Sequence, residues 1–195
     1  MTHDDLFILG TELGGPYCGL WQAPDEVTQL YPPSVGEPDD NDWPSEPRFA
    51  MEKSLPGLVV PDFINNAFGY LMVSGAAKAL LVEHTKEPIE WLSFKVVNHK
   101  GVTLPDTYWV ANVLVKLACV DVAASNCRDD ALYPGTFNLI RDLHLDYGAI
   151  PEDARIFRLS VFPRKIVIHR SIKEEIERRG LKGATFSPPT GRVKS

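Results

Sequence analysis

The sequence predicts a single α+β domain with a mixed or antiparallel sheet and a few short helices. Runs rich in β-branched and aromatic residues recur along the chain, separated by Gly, Pro, Asn and Asp, as is typical of strands joined by turns. Two segments show the apolar periodicity of short amphipathic helices. The chain has 195 residues, 44% of them hydrophobic, which is enough for one domain with a sizeable core.

The N-terminal part, residues 1–61, is predicted to be an acidic segment that belongs to the same fold. Its short apolar runs suggest strands, broken by Gly and Pro. Residues 32–47 are rich in Pro, Asp and Glu, which predicts an extended surface loop. Trp43 lies within this loop. A large aromatic residue there either pins the loop to the body of the domain or contacts a partner, and pinning is the favoured interpretation.

Residues 62–187 are predicted to form the α+β core. Ser74 follows a short apolar strand and can cap a helix over residues 76–84, because its hydroxyl can accept from a backbone N–H that has no helical partner. Residues 89–97 then predict a strand. The apolar run 108–122 is too long for one ordinary strand without a bend or bulge and is predicted to be a central strand of the sheet.

The C-terminal part carries the clearest local signals. Ser171 and Glu174 have the spacing of a capping box, and Gly180 is placed to end the helix that follows them. Pairs such as Glu174 with Arg178 have the favourable spacing of helical ion pairs. Residues 188–195 are predicted to be a flexible tail.

Two regions share one order of elements. Residues 71–97 and residues 166–186 each read as a strand, a helix and a second strand. This order suggests a degenerate strand–helix–strand repeat.

Charge is unevenly distributed along the chain. The net charge is −6, yet residues 1–62 contain 12 acids and 2 bases, whereas residues 155–195 contain 3 acids and 11 bases. The acidic part could attract a basic partner and speed their encounter. The basic part could contact nucleic acid, although it lacks the interleaved aromatics of a single-strand platform. Alternatively, the two ends neutralise each other within one fold.

No motif for catalysis, for a cofactor or for a metal is present. The five histidines lack zinc-hydrolase spacing, and Gly14-Gly15 lacks the spacing of a nucleotide-binding loop. Three cysteines without a Cys-x-x-Cys pair predict a reducing, cytoplasmic setting. No apolar run is long enough to span a membrane, and the acidic N-terminus does not resemble a secretory signal. The sequence therefore predicts a binding protein without catalytic residues.

Acidic clusters and one aromatic residue on predicted loops are the candidates for contact with a protein partner. Those residues are Asp39, Asp40, Asp42, Trp43, Asp129 and Asp130. The first three could also bind calcium, but the later glutamate of an EF-hand loop is missing, so no metal site is predicted.

A set of hydrophobic and turn patterns between residues 60 and 187 carries a family resemblance. The segments are Asp62-Phe63 with Phe68-Gly69, the strand ending Val73-Ser74, Val96-Val97-Asn98-His99-Lys100-Gly101, Tyr108-Trp109-Val110-Ala111-Asn112-Val113-Leu114, Ile156-Phe157-Arg158-Leu159, and residues 166–183 with Phe186. Together they resemble a family of bacterial immunity proteins from polymorphic toxin systems, the Myxococcus-type immunity domain, formerly a domain of unknown function.

The resemblance implies a cytoplasmic protein that binds a cognate toxin domain and blocks its active site or an essential surface. Such a protein needs complementary shape and charge rather than a nucleophile or a cofactor. If the toxin is a basic nuclease, an acidic face would mimic its substrate. Two alternatives stay open: an enzyme whose site is assembled from distant residues, and a nucleic-acid-binding or regulatory module that uses the basic residues 155–195.

Overall fold

The strands and helices assemble into a barrel and two further sheets. The computed structural model describes residues 5–39, 42–131 and 133–189, and the backbone of residues 191–194. The strands are β1 Leu6–Thr11, β2 Gly19–Gln22, β3 Arg48–Met51, β4 Phe63–Asn66, β5 Met72–Val73, β6 Ile89–Val97, β7 Tyr108–Val113, β8 Lys116–Leu117, β9 Cys127–Asp129, β10 Phe137–Leu143, β11 Ile156–Leu159, β12 Phe162–His169, β13 Ala184–Ser187 and β14 Gly191–Lys194. The helices are α1 Tyr31–Val35, α2 Gly75–His84 and α3 Arg170–Arg178, with a 3₁₀ turn at Tyr147–Ala149.

Six strands close into a barrel in the order β2–β3–β6–β7–β5–β4. Its longest ladder joins β6 and β7 antiparallel, from Ile89 opposite Val113 to Phe94 opposite Tyr108. Alternate residues of β6 point inward, and Leu92, Phe94 and Val96 are buried. Aromatic side chains fill much of the interior, with the ring centroids of Phe49 and Phe94 5.1 Å apart. The barrel interior is therefore a packed core.

A five-stranded sheet in the order β13–β1–β12–β11–β8 lies beside the barrel. Its strand β1 comes from the N-terminal part of the chain and pairs with two strands near the C-terminus, with Leu6 opposite His169 and Leu9 opposite Phe186. A smaller sheet, β14–β10–β9, covers one side of the molecule. Residues 188–195 differ from the predicted flexible tail in that the backbone of β14 pairs antiparallel with β10.

Two apolar cores lie outside the barrel. One is covered by α2 and α3, which bury Leu80 and Ile172 against strands of both the barrel and the five-stranded sheet. The other lies against the three-stranded sheet and contains Phe157 and Ile140. The barrel and the sheets therefore share continuous packing, as the sequence predicted for a single α+β domain.

The two strand–helix–strand regions have the same connectivity. Strands β5 and β6 both pair antiparallel with β7, so they run parallel to each other with β7 between them. Strands β12 and β13 flank β1 in the same way. In each region the helix crosses from one outer strand to the other, and α2 packs against α3. The repeat that the sequence suggested is thus present as a repeated topology.

The Pro-rich segment is not the extended surface loop that the sequence predicted. Tyr31–Val35 forms the short helix α1. Proline is tolerated in the first turn of a helix, because the N–H groups that it lacks would have no acceptor within the helix. Gly36 ends the helix with a φ of 73°. Ser34 and Val35 are buried, and so is Asp39 farther along. The segment runs inward because Arg158 donates hydrogen bonds to its carbonyl groups and Glu90 accepts one from Asp39 N.

The apolar run 108–122 is not one central strand. It forms β7 in the barrel and then β8 at the edge of the five-stranded sheet. The backbone changes partner between them, since Leu114 N donates to Pro88 O at 3.1 Å and Val115 O accepts from Arg158 N at 2.8 Å. This run therefore connects the barrel to the sheet.

The N-cap of α3 is His169 and not the predicted Ser171. His169 Nδ1 accepts from Ser171 N at 3.1 Å. The helix thus begins two residues earlier than the capping-box spacing indicated. Arg178 correspondingly pairs with Glu175, at 2.6 Å, instead of Glu174. Ile172 and Ile176 of this helix are buried, and the predicted end of the helix near Gly180 is confirmed.

The His169 cap makes stability depend on pH. Burial and the nearby Arg155 lower the pKa of His169, with Arg170 acting in the same direction and Asp5 and Glu174 opposing it. The folded protein therefore favours neutral His169, while the unfolded chain protonates near pH 6.5. Because the unfolded state binds the extra proton, the contribution of His169 to the free energy of unfolding is fully present above about pH 6.5 and is lost as the pH falls below that value. Urea unfolding between pH 8 and pH 5 should show this loss.

His169→Asn provides the control, because asparagine can cap the helix without titrating. We expect its stability to depend less on pH over the same range than that of the native protein. Equal slopes for the two proteins would show that His169 does not cause the pH dependence.

Candidate functional site

The candidate site is built around the Pro-rich segment, which a buried arginine holds in place. Arg158 is 0% exposed and donates to the carbonyl oxygens of Pro163 at 2.7 Å, Val113 at 2.9 Å, Ser34 at 3.0 Å and Pro33 at 3.1 Å. Burial lowers the pKa of Arg158 to about 10, so the guanidinium remains charged at neutral pH. These four hydrogen bonds fix α1 against the barrel and the start of β12.

The helix α1 presents Tyr31 to the hairpin that follows β9. Tyr31 stacks on Tyr133 with ring centroids 4.3 Å apart and planes at 16°. Beside the stacked rings lies a cleft of about 220 Å³, lined by Tyr31, Val35, Asp130, Tyr133, Thr136, Phe137, Asn138, Phe162, Pro163 and Arg164. We term this the tyrosine cleft. Its tyrosines and its arginine belong to the residue types that are enriched at protein contact sites.

The tyrosine cleft contains hydroxyl groups and charges of both signs. Burial raises the pKa of Tyr31; Tyr133 and Asp130 add to this effect, while Arg164 opposes it. The phenol is therefore protonated at neutral pH and can donate a hydrogen bond. Stacking faces, hydroxyl groups and one charge of each sign can hold a side chain of a partner.

The acidic pair Asp129 and Asp130, at the end of β9, is the part of the sequence-based prediction that adjoins this cleft. Asp130 lines it, and Asp129 is exposed on the same strand end. The stacking of Tyr31 on Tyr133 brings this pair close to the start of the Pro-rich segment. The structure thus brings together two regions that are about a hundred residues apart in the sequence.

Two of the other predicted residues, Trp43 and Asp39, contact strand β6 of the barrel. Trp43 Nε1 donates to Ser93 O at 2.8 Å, and its ring lies against Phe49, so Trp43 pins the segment as the favoured interpretation held. Asp39 is buried, with its N–H donating to the Glu90 carboxylate at 3.2 Å.

Asp42, farther along the loop, does not share that burial. Asp42 is exposed and accepts from Gln29 Nε2 at 2.7 Å. Asp40 lies outside the described residues. Asp39 and Asp42 therefore occupy different environments.

The two buried cysteines of the core are protonated thiols. Burial raises the pKa of Cys18 and Cys119 to about 11, so both thiols stay protonated at neutral pH. Among the described residues, no group of three or more His, Cys, Asp or Glu side chains could hold a metal ion. None of the helices in the same residues has the length and apolar character required to cross a membrane.

Several basic side chains of the C-terminal part pair with acids at the surface of the fold. Arg178 and Arg179 hold the pKa of Glu175 at about 2, and Arg179 also pairs with Glu83 at 2.7 Å. Arg170 lies 3.7 Å from Asp5 at the other end of the chain. Of these pairs, the one between Arg170 and Asp5 joins the basic part to the acidic N-terminal part, and the others lie within or beside α3.

Sequence reasoning missed both Arg158 and the tyrosine pair. Arg158 carried a usable signal, since it interrupts the apolar strand Ile156-Phe157-Arg158-Leu159 and a charge there must find buried partners. The stacking of Tyr31 on Tyr133 had no local signal, because it depends on how α1 docks.

Comparison with protein families places the chain in a family. The model of a family described as Immunity protein family (Imm11) matches residues 14–189. The matched range begins in the loop before β2 and ends two residues after β13, so it includes every strand except β1 and β14. The tyrosine cleft lies within it. None of the curated proteins compared with the chain matches it.

Proposed function

We propose that this chain, which belongs to the Imm11 immunity protein family, binds a cognate toxin domain in the bacterial cytoplasm and neutralises it by covering an essential surface. The observation that carries the proposal is the family match over residues 14–189, which spans nearly the whole fold. Inhibition of this kind requires a rigid surface of complementary shape and charge. The packed barrel and its anchored segments supply such a surface.

The distribution of reactive groups supports binding rather than turnover. The buried thiols are protonated and the described residues offer no metal-binding cluster. The tyrosine cleft offers aromatic stacking and hydrogen bonding to a partner. We therefore propose that the protein inhibits its toxin without making or breaking a bond of its own.

The test begins with the reading frame that adjoins this gene. Its product should carry a toxic C-terminal domain, and that domain should arrest growth when it is expressed alone. Co-expression of this chain should restore growth, and the two proteins should co-purify. If cells with the toxin domain grow equally poorly with and without this chain, the proposed function is wrong.

The acidic residues are proposed to speed association. Asp42 and Asp129 are exposed, and Asp130 is half-buried at the cleft. Changing all three to Asn removes negative charge, so the rate constant of association with the toxin domain should fall, and its dependence on salt should become flatter. The dissociation rate should change little. Stopped-flow binding from low to physiological salt measures all three. Unchanged association kinetics would remove these residues from the recognition of the toxin.

A further inference from the structure

Lys78 lies over two tryptophan rings on the outer wall of the barrel. Its Nζ is 4.4 Å from the ring centroid of Trp109 on β7 and 5.2 Å from that of Trp91 on β6. The ladder between these strands places Trp91 opposite Ala111, so Trp109, two residues away, is its diagonal neighbour on the same face. The contacts with Lys78 therefore join both rings and the helix α2 in one surface.

Val82 extends this surface by one turn of α2. It follows Lys78 at i+4 and so lies on the same side of the helix. Val82 is 58% exposed, and it lines a cleft of about 190 Å³ together with Trp91. We term the four residues Lys78, Val82, Trp91 and Trp109 the tryptophan surface.

The second strand–helix–strand region carries the same arrangement. Lys173 is the fourth residue of α3, as Lys78 is of α2. Its Nζ lies 5.3 Å from the ring centroid of Phe7 on β1 and 5.6 Å from that of Phe186 on β13. Phe186 lies opposite Leu9, and Phe7 is again two residues before that partner. The two lysines and their aromatic pairs thus occupy matching positions of the repeated topology.

The two regions differ in the carboxylate that neutralises the lysine. Lys173 Nζ pairs with Glu177, one turn farther along α3, at 2.8 Å. In α2 the corresponding position is Val82. Within the described residues, the Lys78 ammonium donates no hydrogen bond and pairs with no carboxylate. Burial also lowers the pKa of Lys78, because the charge is incompletely solvated. A carboxylate is therefore the group that the second region has and the first lacks.

Two indole N–H groups add donors to the tryptophan surface. Neither Trp91 Nε1 nor Trp109 Nε1 has an acceptor among the residues that the structure describes, and neither atom is fully buried. By contrast, the indole N–H groups of Trp21 and Trp43 donate hydrogen bonds within the fold. The tryptophan surface thus offers one cation and two neutral donors beside apolar side chains. These groups are complementary to a carboxylate, which accepts hydrogen bonds at both oxygens.

We infer that the tryptophan surface binds an acidic side chain of the toxin domain, whose carboxylate pairs with Lys78 as Glu177 pairs with Lys173. This inference rests on the proposed function. A nucleic acid fits the surface less well, because the Glu87 carboxylate lines the same cleft as Val82 and repels a chain of phosphates. The contact at Lys78 should determine how slowly the complex dissociates, whereas the acids considered above act on association.

Lys78→Met tests the inference, with Lys173→Met as the matched control. Each substitution removes an ammonium above two aromatic rings, while methionine keeps an apolar chain over them. Binding to the purified toxin domain of the adjoining reading frame is measured by surface plasmon resonance, alongside urea unfolding of each variant. Lys78→Met should weaken binding by about tenfold or more, chiefly through faster dissociation, whereas the control should bind within about twofold of the native protein.

Val82→Glu tests the same inference while Lys78 stays in place. The new carboxylate stands at i+4 from Lys78, as Glu177 does from Lys173, so it should neutralise the ammonium within α2. Binding to the toxin domain should then weaken by about tenfold. Val82→Gln adds a side chain of the same length without the charge and should weaken binding much less. Equal losses for the two variants would show that the charge at Lys78 is not recognised.

The outcomes separate this inference from the proposed function. If the native protein binds the toxin domain and Lys78→Met and Val82→Glu bind equally well, the tryptophan surface is not the contact, although the immunity function stands. If the native protein does not bind the toxin domain, both fail. If Lys78→Met abolishes binding of a single-stranded oligonucleotide, or dissociates a dimer of the native protein, and leaves toxin binding unchanged, the surface serves that other partner and the inference is wrong.

Discussion

Arg158→Ala is expected to lower the free energy of unfolding by about 3–5 kcal/mol. The substitution removes the donor to four buried carbonyl oxygens, those of Pro33, Ser34, Val113 and Pro163. It also leaves a cavity where a fully buried side chain stood. Because these carbonyls belong to α1, β7 and β12, the Pro-rich segment should detach before the barrel unfolds. Urea unfolding, followed together with near-ultraviolet circular dichroism of the aromatic residues, measures both effects.

Two further variants make this prediction specific. Arg158→Lys keeps the positive charge but replaces a five-donor fork with a single ammonium, so its stability should lie between those of the native protein and the alanine variant. Arg164→Ala removes an exposed arginine of the tyrosine cleft and should change stability by no more than about 0.5 kcal/mol. If Arg158→Ala is as stable as Arg164→Ala, Arg158 does not anchor the segment.

Gly36→Ala is expected to destabilise the protein by about 2–4 kcal/mol. Gly36 has a φ of 73°, a left-handed conformation that is unfavourable for alanine. In addition, the new Cβ would lie 2.6 Å from Val113 O and 2.7 Å from Arg158 Cδ. The substitution would therefore push α1 away from the arginine that holds it. Chemical denaturation of the purified variant gives the change in stability.

Gly101→Ala separates the cost of the left-handed backbone conformation from the cost of the close contacts at Gly36. Gly101 has a similar φ of 76°, but an added Cβ would meet no atom within 4 Å. This control should lose only the conformational contribution, about 1 kcal/mol. Gly36→Ala should also destabilise the Arg158→Ala protein less than it destabilises the native one, because one of the two clashing groups is then gone. Equal losses at Gly36 and Gly101 would contradict the close packing at Gly36.

The sequence predicted the elements that are determined by local patterns. Strand β6 has the predicted bounds, and Ser74 caps α2 by accepting from Ala77 N at 3.3 Å. Apolar periodicity and cap residues act over a few positions, so they can be read without the rest of the chain. The family resemblance rested on such patterns as well, and the match to the Imm11 family agrees with it.

Elements that depend on distant partners could not be predicted in this way. The helix α1 docks inward because Arg158, more than a hundred residues away, binds its carbonyl groups. The run 108–122 divides because its two halves pair with different sheets. Of the predicted partner-binding residues, Asp39 is buried on account of its contact with Glu90 on the barrel. Each of these outcomes is determined by tertiary contacts that no local signal reports.

Titration of the purified toxin domain with this protein tests most directly the claim that it acts by binding. Toxin activity should fall in proportion to the amount of protein added and reach its minimum at a fixed molar ratio. The toxin should be chemically intact and active once the complex is dissociated. Inactivation of many toxin molecules by one molecule of this protein, or full toxin activity in the presence of excess protein, would contradict the proposed function.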